Sequence, residues 1–125
     1  MYRFFLFSLM VVVVSVLGCS SGLDSKGQAF VKGREFFLNK DYDSAIEQFT
    51  KVIEMDEKFA EAYTFRGNCY SALKKNDEAV KDFSKAIEID PYNRGAFSNR
   101  SLAYKAMGKL PQAKADALKA NKIAD

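Results

Sequence analysis

Cys19 and Cys69 are the strongest intrinsic nucleophiles in this 125-residue chain, and no histidine accompanies them. Without imidazole, the side chain that titrates near neutral pH and the commonest metal ligand are both missing. The two thiols stand fifty residues apart, so they suggest neither a thiolate cluster nor a disulfide framework. Catalysis would therefore need a carboxylate pair, a lysine or Cys69 in a closed pocket that shifts its pKa. The acids fall instead at helical spacing from lysines, as Asp77 from Lys81 and Asp82 from Lys85, a pattern of solvated faces laced with ion pairs. No glycine-rich loop offers a phosphate cradle. Nineteen bases and sixteen acids are interspersed, and the net charge of +3 does not point to nucleic acid. The expectation is a protein that is not an enzyme, with no cofactor and no metal.

The two thiols differ in setting. Cys19 follows the uncharged run FFLFSLMVVVVSVL at 4–17, preceded by Arg3 and followed by small polar residues. A basic residue, an apolar core and a small-residue boundary describe a secretory signal. Fourteen residues reach about 21 Å as a helix, short of the roughly 20 residues that span a bilayer. Val16–Leu17–Gly18–Cys19 resembles the lipobox of bacterial lipoproteins. That resemblance implies diacylglycerol transfer to the Cys19 thiol, cleavage before it, and often acylation of the new amino terminus. Residues 1–18 are then a signal peptide, and residues 19–26 a lipidated, flexible tether. The location implied is the bacterial cell envelope, attached to a membrane on its extracytoplasmic side. Ser20 after the cysteine is compatible with the outer membrane. Cys69 lies in a periodic apolar stretch and is expected to be a small buried hydrophobe.

The elements that must position these residues come from an internal repeat. Segments starting at Lys26, Ala60 and Arg94 align with a 34-residue offset. Gly33 falls over Gly67 and Ser101, Phe36 over Tyr70 and Tyr104, and Ala45 over Ala79 and Ala113. Phe49 meets Phe83 and Ala117, while Val52 meets Ala86 and Ala120. Apolar residues recur at helical spacing within each copy, and Pro91 closes the middle one. Six helices are predicted, at 27–39, 44–56, 60–73, 78–90, 94–107 and 111–123. Gly33 and Gly67 are expected where the first helix of a unit crosses the second, with Ala45, Ala79 and Ala113 opposite.

This pattern resembles the tetratricopeptide repeat (TPR) family, residues 60–93 most fully. The resemblance implies an all-α, right-handed superhelix of about three helix-turn-helix units: 27–59, 60–93 and 94–125, the outer two degenerate. It also implies a partner, a peptide or a helix, held in a concave groove lined by the first helix of each unit. Carried over place by place, that wall takes Phe30, Arg34 and Phe37 from the first unit, Phe65 and Asn68 from the second, and Asn99, Leu102 and Lys105 from the third. Phe37 and Phe65 are the expected anchors, because aromatic side chains dominate interface hot spots. Chaperone-binding members clamp a C-terminal carboxylate at places that here hold Phe30, Arg34, Phe65, Gly95 and Asn99, so the clamp is broken. A second expectation is self-association or assembly into a larger complex, with Leu118 and Ile123 of the last helix packing on another chain.

Overall fold

The computed structural model describes residues 24–124, which form six α-helices and, among these residues, no strand. They are α1 (Ser25–Leu38), α2 (Tyr42–Met55), α3 (Ala60–Ala72), α4 (Asn76–Ile89), α5 (Arg94–Ala106) and α6 (Leu110–Ala124). Cys19 and the expected signal peptide lie outside the described residues. Asp24, Ser25 and Lys26 do not belong to a flexible tether as expected. Asp24 caps α1 by accepting from the Gly27 N–H at 2.7 Å, and Lys26 reaches Asp56 at 3.0 Å. Asp41 and Asn93 cap α2 and α5 in the same way. The turns inside the three units also repeat: Lys40, Lys74 and Gly108 occupy the same place in successive copies, and each has a φ between 60° and 73°. Only the third carries the glycine that this left-handed conformation favours.

α1–α2, α3–α4 and α5–α6 pack as hairpins, and α2–α3 and α4–α5 stack one unit on the next. α1 also touches α3, and α3 touches α5, whereas among the described residues no such contact joins α2 to α4 or α4 to α6. The first helices of the units are thus drawn together and the second helices spread apart. That difference curves the stack with α1, α3 and α5 on its concave side.

The core repeats with the sequence. Ala45, Phe49 and Cys69 form one buried cluster, and Ala79, Phe83 and Ala103, the matching places of the next copy, form its counterpart. Glycine permits the crossing inside each of the first two units. A Cβ on Gly33 would lie 2.7 Å from Phe49 Cε1, and one on Gly67 would lie 2.7 Å from Phe83 Cε1. The nearest side chain opposite each glycine is therefore the phenylalanine ring, not the expected alanine. The third unit solves the crossing differently: Ala117 replaces the ring, and Ser101 donates through Oγ to the Ala113 carbonyl at 2.7 Å.

Candidate partner-binding groove

The first helices bring the expected groove residues onto one wall, but they stand in three different states. Phe30, Phe37 and Phe65 are half-buried and join fully buried Phe49 in one aromatic cluster across the first two units. Phe65 stacks on Phe49 with ring centroids 5.4 Å apart and meets Phe30 and Phe37 edge-on at 5.6 and 5.9 Å. These rings are packed against each other. Phe65, expected as an anchor for a partner, is the centre of that packing, because it lies where α3 stacks on the preceding hairpin. Exposed Arg34 places its guanidinium 5.7 Å from the Phe65 ring centroid, which adds a cation–π contact at the lip of the cluster.

The middle of the wall is polar and cross-linked. Asn99 Nδ2 donates to Asn68 Oδ1 at 2.7 Å, and Asn93 Nδ2 donates to Thr64 Oγ1 at 3.2 Å, both pairs joining α3 to the α5 unit. A side-chain amide has more donors and acceptors than one such bond uses, so these residues keep capacity for a peptide backbone. Leu102 and Lys105 extend the wall along α5 and are exposed, Leu102 by 64%. Among the outward-facing candidates on α6, Leu118 is exposed and Ile123 is half-buried.

Two side-chain constellations were not anticipated from the sequence. Arg66 donates through Nε and Nη2 to both oxygens of Asp82, each at 2.8 Å, and through Nη1 to Thr50 Oγ1 at 3.1 Å. Arg100 repeats the arrangement in the next copy with Asp116, at 2.7 and 2.8 Å, and Ser84, at 2.9 Å. Each guanidinium fork thereby joins both helices of its own unit to the second helix of the unit before. The hydrogen-bonded carboxylate outweighs desolvation and holds both arginines above their ordinary pKa. Asp82 is buried against Arg66, not exposed and paired with Lys85 as its spacing suggested; Lys85 pairs with Glu88. The signal was in the sequence as an Arg and an Asp sixteen residues apart, recurring at the repeat offset. Cys69 is fully buried as expected, and burial pushes its thiol up to about 12, which removes it as a nucleophile at neutral pH.

Family models described as tetratricopeptide repeat match residues 29–59 and 60–93. The chain belongs to the tetratricopeptide repeat family. Its fold is similar to the second TPR of Spaghetti (RPAP3) bound to HSP90 peptide SRMEEVD: 31% identity, TM-score 0.78, covering 80% of this chain and 93% of that one. The first TPR domain of human RPAP3 is 30% identical with a TM-score of 0.76, covering 78% of this chain and 77% of that one. The TPR2B domain of yeast Sti1, in a complex with pHsp70, is 26% identical with a TM-score of 0.77, covering 78% of each chain. In sequence, 45 residues are 49% identical to heat shock protein STI1 of Saccharomyces cerevisiae, which is 35% of this chain and only 8% of that protein. Among the described residues of this TPR chain, no helix is long and apolar enough to cross a membrane.

Proposed function

We propose that this TPR protein is a non-catalytic adaptor that holds a peptide or helix of a partner protein on the concave wall of α1, α3 and α5. The observation that carries the reading is the composition of that wall: an aromatic cluster with Arg34 at its lip, an amide ladder through Asn68 and Asn99, then exposed Leu102 and Lys105. Its fold relatives include a TPR domain bound to the HSP90 peptide SRMEEVD and the TPR2B domain of Sti1 in a complex with pHsp70, which supports a protein ligand. The carboxylate-clamp places hold Phe30, Arg34, Phe65, Gly95 and Asn99, so recognition would read an internal segment or helix, not a free C-terminus. Cys19 would carry a lipid that fixes the adaptor to a membrane of the bacterial cell envelope, held firmly when two or three acyl chains insert.

Binding and anchoring are tested separately. Cross-linking from membranes with wild type and with Arg34→Glu/Leu102→Asp, two exposed positions whose replacement spares the core, should show the partner lost from the variant. An unchanged partner set removes the concave wall as the site. Metabolic labelling with a fatty acid should mark wild type and not Cys19→Ala, and the variant should leave the membrane fraction or remain unprocessed. Unlabelled wild type ends the lipid-anchor reading without touching the binding one.

A further inference from the structure

In the first two junctions of the stack, a helix lies on the outer side of α2 and of α4: α3 on the one, α5 on the other. Among the described residues nothing covers the same side of α6. Its residues there have also changed chemistry. Thr50 and Ser84, which accept from the arginine of the next unit, give way at the same place in the third copy to Leu118, and Ile87 gives way to Asn121. With Ala117 in place of phenylalanine, a shallow cavity of about 230 Å³ opens between Ser98, Ser101, Leu102, Ala117, Ala120 and Asn121. Leu102 at its edge and Leu118, next in sequence to Ala117, are 64% and 60% exposed.

The charge of the third unit is one-sided. From Arg94 to Asp125 there are seven bases and two acids, Asp125 and Asp116, of which Asp116 is buried against Arg100. The remaining six (Arg94, Lys105, Lys109, Lys114, Lys119 and Lys122) are exposed, and none is paired among the described residues. Residues 24–93 carry eleven bases against fourteen acids, so the excess is confined to the third unit.

We infer that the outer face of α6, with the cavity at its edge, docks an acidic amphipathic helix of a partner protein. A helix is the shape that covers the equivalent face at both other junctions, the cavity and leucines take its apolar stripe, and the exposed lysines of α6 (Lys114, Lys119 and Lys122) call for acids beside that stripe. A second copy of this chain fits poorly. Its α1, the element that would continue the stack, presents exposed Lys32 where α3 has Arg66, and would set it against Leu118 among lysines. Residues 1–23 are no better matched, since they contain one base and no acid. The face shares Leu102 and Lys105 with the α5 end of the proposed groove, whereas Ala117 and Leu118 belong to it alone, so variants at those two places test it apart from the α1–α3 wall.

The test uses the full chain and a fluorescent amphipathic helix of leucine and glutamate, with a leucine and lysine helix of equal length as control. The glutamate helix should bind with an affinity that falls as salt rises, and the lysine helix should not. Leu118→Glu should weaken binding by about tenfold or more. Ser101→Gly/Ala117→Phe, which restores the packing of the first two units and fills the cavity, should do the same, with circular dichroism showing both variants folded. Equal affinity of wild type and the folded variants overturns the inference. So does flotation on phosphatidylglycerol vesicles that these variants abolish while peptide binding is absent, which would assign the face to a lipid surface. Self-association seen by light scattering and abolished by the same variants, again without peptide binding, would assign it to a second copy and equally overturn it.

Discussion

Gly67 and Cys69 sit two residues apart on α3 and set different limits on the core. A side chain at Gly67 would push against Phe83, whose ring is fully buried and cannot retreat. Gly67→Ala is expected to cost about 1–3 kcal/mol, read as a lower urea midpoint with unchanged slope. Adding Phe83→Leu should recover part of the steric loss, since a smaller side chain then faces the new methyl group. Cys69 is limited by charge. Its folded thiol stays protonated until about pH 12, whereas in the unfolded chain it ionises from its ordinary value of 9.0. The folded pKa is the raised one, so the stability it contributes is fully present below pH 9 and is lost as pH rises toward 12. The loss has a slope of at most about 1.4 kcal/mol per pH unit. Under reducing conditions, the unfolding free energies of wild type and Cys69→Ala should therefore converge between pH 8 and pH 11. A difference that stays constant over that range would show that the thiol is not held neutral by burial.

Between elements, the arginine forks do what the hydrophobic pattern alone does not. Arg66 ties α2, α3 and α4 together, and Arg100 ties α4, α5 and α6, with the carboxylate side chains only 6% and 9% exposed. The first unit has Lys32 and buried Gln48 at the corresponding places and so lacks a fork. Arg66→Met should cost about 3 kcal/mol, because it strands the Asp82 carboxylate, and Arg66→Lys should not restore a two-pronged pair. Arg66→Met/Asp82→Leu should return most of the loss in thermal or urea unfolding. A loss below about 1 kcal/mol in the single variant would show the fork to be ornamental. The helices themselves were legible: all six begin and end within two residues of the bounds expected from the repeat pattern, because caps and periodicity are local signals. The forks were not, since an Arg and an Asp sixteen residues apart meet only after the hairpin closes. The residues of the α1–α3–α5 wall could be listed by place in the repeat, but their contacts could not. Phe65 stacks on Phe49, and Asn68 spends an acceptor on Asn99, both consequences of how one unit stacks on the next.

Across the whole molecule, stability should follow position in the stack, because each unit contacts only its neighbours. α3 touches α1, α2, α4 and α5, and the hairpin it forms with α4 contains buried Tyr63, Cys69 and Phe83. Among the described residues α6 touches α5 alone, and its buried residues are Ala113, Asp116 and Ala120. Alanine removes far less apolar surface from water than phenylalanine, so the hydrophobic contribution holding α6 is small. Much of its attachment then rests on the Arg100–Asp116 fork and on the Ser101 bond to the Ala113 carbonyl. Native-state hydrogen exchange should resolve this gradient. Amides of Cys69 and Phe83 should exchange only through global unfolding, with free energies that fall with urea at the full equilibrium slope. Amides from Leu118 to Asn121 should exchange through a local opening at distinctly lower free energy and with little urea dependence. Arg100→Met should lower the α6 value further than it lowers that of α3. Equal protection in α3 and α6 would instead mean that the three units unfold as one, and that contacts along the stack outweigh the difference in what each helix buries.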